Sequence, residues 1–134
     1  TVWSTSDIDE IGWGDHEGKR ATKKMKRAFD QMLTQWKSQE FDARLSGGES
    51  LLELKERVTR FLEELAKRPE RNIIVCSHGR TLMCMMCLVG GDSLTQMYKY
   101  SQSNTAVNIA KYDQEGWHLE KIGNTAHLKV EEEL

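Results

Sequence analysis

The stretch Ile73-Ile74-Val75-Cys76-Ser77-His78-Gly79-Arg80-Thr81 decides the fold class of this chain and shows where a functional site is expected. Residues 72–77 form a short, β-branched and mainly apolar run, which is typical of a strand buried on both faces. A helix is predicted over residues 81–89, before the Gly90-Gly91 pair. His78 therefore lies where a strand ends and a helix begins, at the edge of an open α/β sheet where ligands usually bind.

The residues that follow this predicted strand suit an anion such as phosphate. The start of a helix offers free backbone N–H groups and the positive end of the helix dipole. Gly79 has no Cβ, so the backbone can approach a ligand closely. The imidazole of His78 can be neutral or cationic near pH 7. A buried histidine whose ring is satisfied by a backbone carbonyl is the structural alternative, and the local pattern leaves both interpretations open.

The sequence before this stretch predicts two long helices separated by loops. Residues 1–18 and 38–49 lack periodicity and are expected to be irregular. Over residues 19–37 apolar side chains recur at three- and four-residue spacing, opposite a basic face. Ser50 and Glu53 form a capping box in front of an apolar stripe that continues to Leu65.

The sequence after the stretch predicts a short helix and a hairpin. Ser93 and Gln96 favour a capped helix over residues 94–100. Two strands are predicted at residues 106–112 and 117–122, with a turn between them. Because helices and strands alternate along the chain, the fold class is predicted to be an α/β sandwich.

Composition limits the class of protein. The chain has 134 residues, of which 30% are charged and 38% apolar, and these values are typical of a single globular domain. A net charge of -2 gives no reason to expect binding to nucleic acid or to a membrane. No apolar run approaches the roughly 20 residues that span a bilayer, and no secretion signal is recognised. The three cysteines are interpreted as packed thiols in a reducing cytoplasm, and Cys84 and Cys87 as structural despite their C-x-x-C spacing.

Four stretches occur in an order that is typical of one enzyme family. They are Ile8-Asp9-Glu10-Ile11-Gly12-Trp13-Gly14-Asp15-His16-Glu17-Gly18, Gly48-Glu49-Ser50 before an amphipathic helix, Val75-Cys76-Ser77-His78-Gly79, and Asn104-Thr105-Ala106-Val107 with the tail that follows. The first resembles a Leu-x-Glu-x-x-x-Gly-x-x-Glu-Gly loop, and the third is similar to a Val-x-His-Gly segment. Together they resemble the histidine phosphatase superfamily, which includes cofactor-dependent phosphoglycerate mutases and fructose-2,6-bisphosphatase-like enzymes.

The resemblance implies a three-layer α/β/α sandwich, phosphoglycerate mutase-like, with a mostly parallel sheet. It also implies that the catalytic residues are Glu10, the proton donor to the leaving oxygen, and His78, which hydrogen-bonds the phosphoryl group in the transition state. The backbone N–H of Gly79 is expected beside His78. Arg80 faces either phosphate or solvent, and Trp13 either lines the substrate pocket or packs against its loop. Neither a metal ion nor a cofactor is expected.

Other polar residues receive structural interpretations. Glu49 precedes a helix N-terminus, where a carboxylate favours the dipole, so it is expected to cap that helix. Glu17 is expected to stabilise its loop. The remaining histidines, His16, His118 and His127, are not spaced like metal ligands and are assigned no catalytic role.

The chain departs from the family pattern at one point. Histidine phosphatases carry an Arg-His-Gly whose histidine is the nucleophile, and this sequence contains no such tripeptide. Residues 1–134 are therefore expected to be a single partial domain, incomplete on its N-terminal side and with apolar surface uncovered. Three explanations remain: a piece of a longer enzyme, completion by a separate N-terminal segment or a second copy in a homo-oligomer, and a natural remnant that binds phosphate.

The expected function is that of a cytoplasmic phosphomonoester phosphatase that acts on a small phosphorylated metabolite through a phosphohistidine. The nucleophilic histidine is expected outside this chain, so the intact parent is predicted to be active and these residues alone inactive. A phosphoglycerate mutase-type phosphoryl transfer is the nearest alternative. A non-catalytic module that binds a phosphate ligand or a protein is an alternative of a different class.

Overall fold

The structure, a computed structural model, describes residues 1–129. Within that range lie three α-helices, named α1 (Lys23–Lys37), α2 (Leu51–Ala66) and α3 (Gly79–Val89). An antiparallel hairpin of β1 (Val107–Asp113) and β2 (Gly116–Asn124) follows them. Short 3₁₀ turns complete the regular structure at Ser6–Ile8, Gly14–His16, Leu94–Tyr100 and Ala126–Leu128. In this part of the chain no helix is both long and apolar enough to cross a bilayer.

Helix α1 begins later than its periodicity predicts. The Thr22 hydroxyl accepts a hydrogen bond from the N–H of Met25 at 3.2 Å, so the helix starts at Lys23 rather than at residue 19. Met32 and Trp36 are its buried residues, and the Trp36 indole donates to the carbonyl of Ala43 at 2.9 Å. This bond ties the irregular segment after α1 back to the helix.

Helix α2 has the cap and the buried stripe that its sequence predicts. The Ser50 hydroxyl accepts from the N–H of Glu53 at 3.2 Å, and the Glu53 carboxylate accepts from the N–H of Ser50 at 2.9 Å. The capping box is therefore confirmed. The buried face consists of Leu51, Leu54, Val58, Phe61 and Leu62.

Helix α3 lies at the centre of the core, packed against α2 and against the Leu94–Tyr100 turn. Almost its whole length is buried, including Cys84 and Cys87. Burial raises the pKa of Cys84 to about 12 and also raises the pKa of Cys87. Because the thiolate is the reactive and metal-binding form, the structural interpretation of these two cysteines is supported. The expectation of packing is wrong for Cys76, whose side chain is exposed.

The predicted strand at residues 72–77 is not part of a sheet within residues 1–129. Its side chains alternate, with Ile73, Val75 and Ser77 half-buried and Ile74 and Cys76 exposed. Ile74 is 92% exposed, so the prediction of burial on both faces is wrong here. The physical reason is that a strand needs neighbours to pair its backbone groups and cover its faces, and the described strands pair only with each other.

The hairpin forms close to its predicted position. Tyr112 stands opposite Trp117, with ring centroids 4.8 Å apart, and Gly116 takes the positive φ of +107° that the turn requires. Helices and a small sheet share one core, which confirms the α/β class. The mostly parallel sheet is not found among residues 1–129, where the sheet has two antiparallel strands. The segment 94–100 is helical but forms a 3₁₀ turn, and the Ser93 side chain does not cap it.

The packing of α2 gives a stability prediction with a control on the same helix. Leu54 is 0% exposed and Leu52 is 49% exposed. We expect Leu54→Ala to lower the free energy of unfolding by about 2–5 kcal/mol, because it leaves a cavity in the core. Leu52→Ala should cost less than about 1 kcal/mol. Urea denaturation of the two variants measures the difference, and equal losses would contradict the packing described.

Candidate active site

The carboxylate of Glu10 occupies the N-terminus of α3. Its Oε1 accepts hydrogen bonds from the N–H groups of Thr81 and Ile11, both at 3.0 Å, and its Oε2 accepts from the N–H of Arg80 at 3.1 Å. Negative charge at this end of a helix is stabilised by the helix dipole. The sequence predicts free N–H groups for a phosphate here, and this is wrong for Arg80 and Thr81, since they already bind a carboxylate of the protein itself.

Gly79 lies beside this carboxylate. A Cβ built on Gly79 would lie 3.9 Å from Oε2 of Glu10, which is an ordinary van der Waals distance. The backbone N–H of Gly79 makes no hydrogen bond to any residue in the described range. One donor at the start of α3 thus stays available beside Glu10.

His78 is the N-cap residue of α3, and its side chain is exposed. Its carbonyl accepts from the N–H of Leu82 at 2.8 Å, but its imidazole forms no hydrogen bond within residues 1–129. The alternative of a buried histidine satisfied by a carbonyl is therefore wrong. The ring is accessible to a ligand next to the free N–H of Gly79.

Two hydroxyl groups fix the loop that carries Glu10. Ser77 donates to the carbonyl of Ile8 at 2.6 Å, and the fully buried Thr81 donates to the carbonyl of Asp9 at 2.7 Å. Thr81 Oγ1 also lies 3.1 Å from Oε1 of Glu10, but its single proton serves the nearer acceptor. Ser77 and Thr81, which lie before and after residues 78–80, therefore hold the backbone just before Glu10.

Arg57 of α2 holds the same loop from the other side. Its guanidinium donates to the carbonyls of Asp7 and Glu10 at 2.9 and 3.2 Å. It also pairs with both carboxylate oxygens of Glu49, at 2.6 and 2.9 Å. These hydrogen bonds to Glu49 raise the pKa of Arg57, so the guanidinium stays charged. The expectation that Glu49 caps α2 is wrong: its carboxylate pairs with Arg57 and accepts from the N–H of Gly12 at 3.1 Å.

A cavity of about 600 Å³ opens beside Glu10. Four of the five predicted site residues line it, namely Glu10, Trp13, Gly79 and Arg80, while His78 does not. The other lining residues are His16, Phe29, Leu45, Met83, Tyr98, Ser101 and Gln102.

Aromatic contacts form one wall of this cavity. The rings of Trp13 and Phe29 meet edge to face with centroids 5.3 Å apart, and the guanidinium carbon of Arg80 lies 6.0 Å from the Phe29 centroid. Trp13 therefore lines the cavity and packs against Phe29 of α1, and its role toward a substrate stays a prediction. Arg80 faces the cavity. Glu17 stabilises the loop as predicted, since it accepts from the N–H of Trp13 at 2.8 Å.

Several site residues have no recognisable signal in the sequence. Arg57 and Glu49 contact the loop across 37 to 51 positions of sequence, so neither periodicity nor a local motif reveals them. His16 receives no role from its spacing, yet it lines the cavity. Gln102 does so too, and it is held by reciprocal amide hydrogen bonds with Asn108 at 2.8 and 3.2 Å.

A group of potential metal ligands lies elsewhere, at the hairpin turn. Among the described residues, Asp113, Glu115 and His118 bring ligand atoms within 4.8 Å of one another. Asp113 Oδ1 already accepts from the N–H of Glu115 and pairs with His118, both at 2.9 Å. These hydrogen bonds stabilise the hairpin turn, and they explain why the three side chains lie close together.

The buried Thr81 hydroxyl gives a second stability prediction. Thr81→Val keeps the shape of the side chain but leaves the Asp9 carbonyl without its donor, which should cost about 1–3 kcal/mol of unfolding free energy. Thr34→Val on α1 removes an exposed hydroxyl that bonds Asp30, and its effect should stay within about 0.5 kcal/mol. Chemical denaturation compares the two variants. A loss for Thr81→Val no larger than for Thr34→Val would contradict the anchoring role.

Comparison with known proteins places the chain in a family. Residues 1–125 match the Histidine phosphatase superfamily (branch 1). The chain is similar to Phosphoserine phosphatase 1 of Hydrogenobacter thermophilus, with 26% identity over 122 residues, which are 90% of this chain and 57% of that protein. A second protein of the same organism matches at 26% identity over 91% of this chain and 60% of its own length. The chain thus spans about three fifths of the curated relatives that it matches.

Solved structures share the fold. YhfR of Bacillus stearothermophilus superposes with a TM-score of 0.76 at 22% identity, covering 93% of this chain and 62% of that one. The alpha-ribazole phosphatase of Shigella flexneri superposes with a TM-score of 0.74 at 19% identity, covering 90% and 59%. The predicted phosphoglycerate mutase-like fold is confirmed, and with a family match over 125 residues the chain belongs to the histidine phosphatase superfamily.

Proposed function

We propose that this chain is the part of a phosphomonoester phosphatase that protonates the leaving group and stabilises the transferring phosphoryl group. The observation that carries the proposal is the position of Glu10 at the start of α3, next to His78, Gly79 and the cavity. Membership of the histidine phosphatase superfamily supports it. The substrate is proposed to be a small phosphorylated metabolite.

The proposed nucleophile is a histidine outside these 134 residues. The sequence has no Arg-His-Gly, and residues 72–77 offer an unpaired edge and an exposed Ile74. A segment of the complete protein that pairs with this edge would bring its own residues next to His78. Such a strand would supply the backbone partners that residues 72–77 lack in the described part of the chain.

The reaction proceeds in two displacements. The nucleophilic histidine nitrogen forms a bond to phosphorus while the bond to the leaving oxygen breaks, and Glu10 gives its proton to that oxygen. Water then attacks the phosphohistidine, the nitrogen–phosphorus bond breaks, and the Glu10 carboxylate takes the proton of that water. His78 and the free N–H of Gly79 donate hydrogen bonds to the phosphoryl oxygens, whose charge they stabilise.

The contacts of Glu10 suggest which oxygen carries the proton. A carboxylate has about four acceptor sites, two on each oxygen. Oε1 accepts from two backbone N–H groups, whereas Oε2 accepts from the N–H of Arg80 alone. Oε2 also lies beside Gly79, whose N–H is free among the described residues. We therefore assign the transferred proton to Oε2.

The roles of Glu10 and His78 predict different kinetic signatures in the complete protein. For an alkyl phosphate the leaving alcohol needs a proton, so Glu10→Gln should lower kcat/KM, which reports the first displacement alone, about 10²–10⁴-fold. For p-nitrophenyl phosphate the loss should be much smaller, because the phenolate leaves without a proton. His78→Ala should slow both esters about 10²–10³-fold, since it removes a donor to the phosphoryl group. Phosphate release is the measurement.

Matched controls for these variants come from the hairpin. Glu120→Gln and His118→Ala change the same residue types on β2, away from the cavity, and should keep the wild-type rates. Equal losses of kcat/KM in Glu10→Gln on both esters would argue against proton donation to the leaving oxygen. Return of the phosphoryl group to the substrate without phosphate release would indicate a mutase. A complete protein that forms no acid-labile phosphoenzyme with any phosphate ester would leave only a binding module.

A further inference from the structure

The guanidinium of Arg57 uses all of its donors inside the protein. A guanidinium has five N–H groups in a planar fork. Nε and Nη2 bind the two oxygens of Glu49, and Nη2 also reaches the carbonyl of Glu10. Nη1 donates to the carbonyl of Asp7 at 2.9 Å and lies 3.5 Å from that of Ser6. One side chain thus serves a carboxylate and three separate carbonyls.

These contacts fix the backbone on both sides of the Glu10 side chain. Arg57 holds the carbonyl of Glu10 at 3.2 Å. Its partner Glu49 accepts from the N–H of Gly12 at 3.1 Å, and the Glu49 N–H donates to the carbonyl of Gly12 at 2.8 Å. Only Ile11 lies between the two fixed points, and its side chain is fully buried. The Glu10 carboxylate therefore extends to α3 from a backbone that is anchored on α2.

The geometry of the fork matters more here than its charge. The side chains of Arg57 and Glu49 are only 13% and 18% exposed, and their charges balance. A lysine at position 57 would keep the positive charge, but its three donors share one nitrogen and cannot reproduce a planar, bidentate fork. Arg57→Lys therefore separates position from charge.

Resting on the function proposed above, we infer that Arg57 is a positioning residue for proton transfer. It sets the place of the Glu10 backbone, and with it the reach of Oε2 to the leaving oxygen, without contacting substrate. Displacement of a catalytic group by about 1 Å can cost 10²-fold in rate. A defect in position should therefore appear in the step that needs the proton.

The kinetic test compares two esters in Arg57→Lys of the complete protein. The single-turnover rate constant for phosphoenzyme formation from an alkyl phosphate should fall about 10²-fold, with its half-saturating concentration changed less than about threefold, because binding does not depend on the acid. The same rate constant for p-nitrophenyl phosphate should fall less than about tenfold, since its leaving group needs no proton. Equal losses on both esters would overturn the inference.

Arg68→Lys is the matched control. Arg68 also forms a two-pronged pair with a glutamate, Glu70, at 2.7 and 3.1 Å, but this pair is more exposed. Its guanidinium carbon lies 4.2 Å from the Trp3 ring centroid and makes no hydrogen bond to residues 6–12. Arg68→Lys should keep the wild-type rates on both esters. If Arg68→Lys lost as much rate as Arg57→Lys, replacing any such arginine would have the same effect, and the inference would be contradicted.

A second readout does not depend on activity. The N–H groups of Arg80 and Thr81 are protected by the Glu10 carboxylate, so their hydrogen exchange, measured by NMR, should speed up at least about tenfold in Arg57→Lys. Amides in the middle of α2 should keep their wild-type rates. Unchanged exchange at Arg80 and Thr81 would overturn the inference, even if the complete protein had no phosphatase activity.

The two proposals fail in different ways. Glu10→Gln could lose more rate on the alkyl phosphate than on p-nitrophenyl phosphate while Arg57→Lys shows no such difference. In that case only the positioning role of Arg57 is wrong. If Glu10→Gln shows no such loss, proton donation by Glu10 is wrong, and the amide exchange of Arg80 and Thr81 still decides whether Arg57 positions the carboxylate.

Discussion

The guanidinium fork of Arg57 is the interaction on which the rest of the site depends. The segment Ser6–Glu10 is a 3₁₀ turn and an irregular stretch packed between α2 and α3, so no sheet or long helix satisfies its backbone. Each of its five carbonyls nevertheless accepts a hydrogen bond, from Arg57, Ser77 or Thr81 among others. Because unpaired buried carbonyls are costly, these three side chains specify one conformation of the loop. In that conformation the Glu10 carboxylate reaches the N–H groups at the start of α3.

The start of α3 consequently carries N–H donors that the protein itself uses in part. Glu10 takes the N–H groups of Arg80 and Thr81, which leaves the N–H of Gly79 and the ring of His78 for a ligand. A helix N-terminus that holds a carboxylate next to a phosphoryl group would place acid and substrate in contact. In the proposed reaction, the same hydrogen bonds that stabilise the helix would determine where the proton is delivered.

Local signals in the sequence predicted the elements that depend on local interactions. The capping box at Ser50 and the apolar stripe of α2 are confirmed, as is the hairpin around Gly116, because caps, helical periodicity and turn residues act over a few positions. Helix α1 starts at Lys23 rather than at residue 19, because Thr22 caps it. This cap is also a local signal, but the prediction did not include it. Gly79 was predicted as a site residue from the strand-to-helix pattern, and Glu10 from the resemblance to a family motif; both line the cavity, as do Trp13 and Arg80.

Long-range contacts could not be predicted in this way. Nothing in the sequence around Arg57 shows that its partners lie about 50 positions earlier, and Glu49 looks like a helix cap until that partner is known. The burial of residues 72–77 was predicted from composition, but burial depends on neighbouring strands that residues 1–129 do not supply. The central proposal is that Oε2 of Glu10, bound to the N-terminus of α3, lies next to the leaving oxygen of the substrate phosphate. A crystal structure of the complete protein with orthovanadate tests it most directly. Oε2 should lie within about 3 Å of a vanadate oxygen, with Oε1 still bound to the N–H of Thr81; a Glu10 carboxylate turned away from the vanadate would contradict the claim.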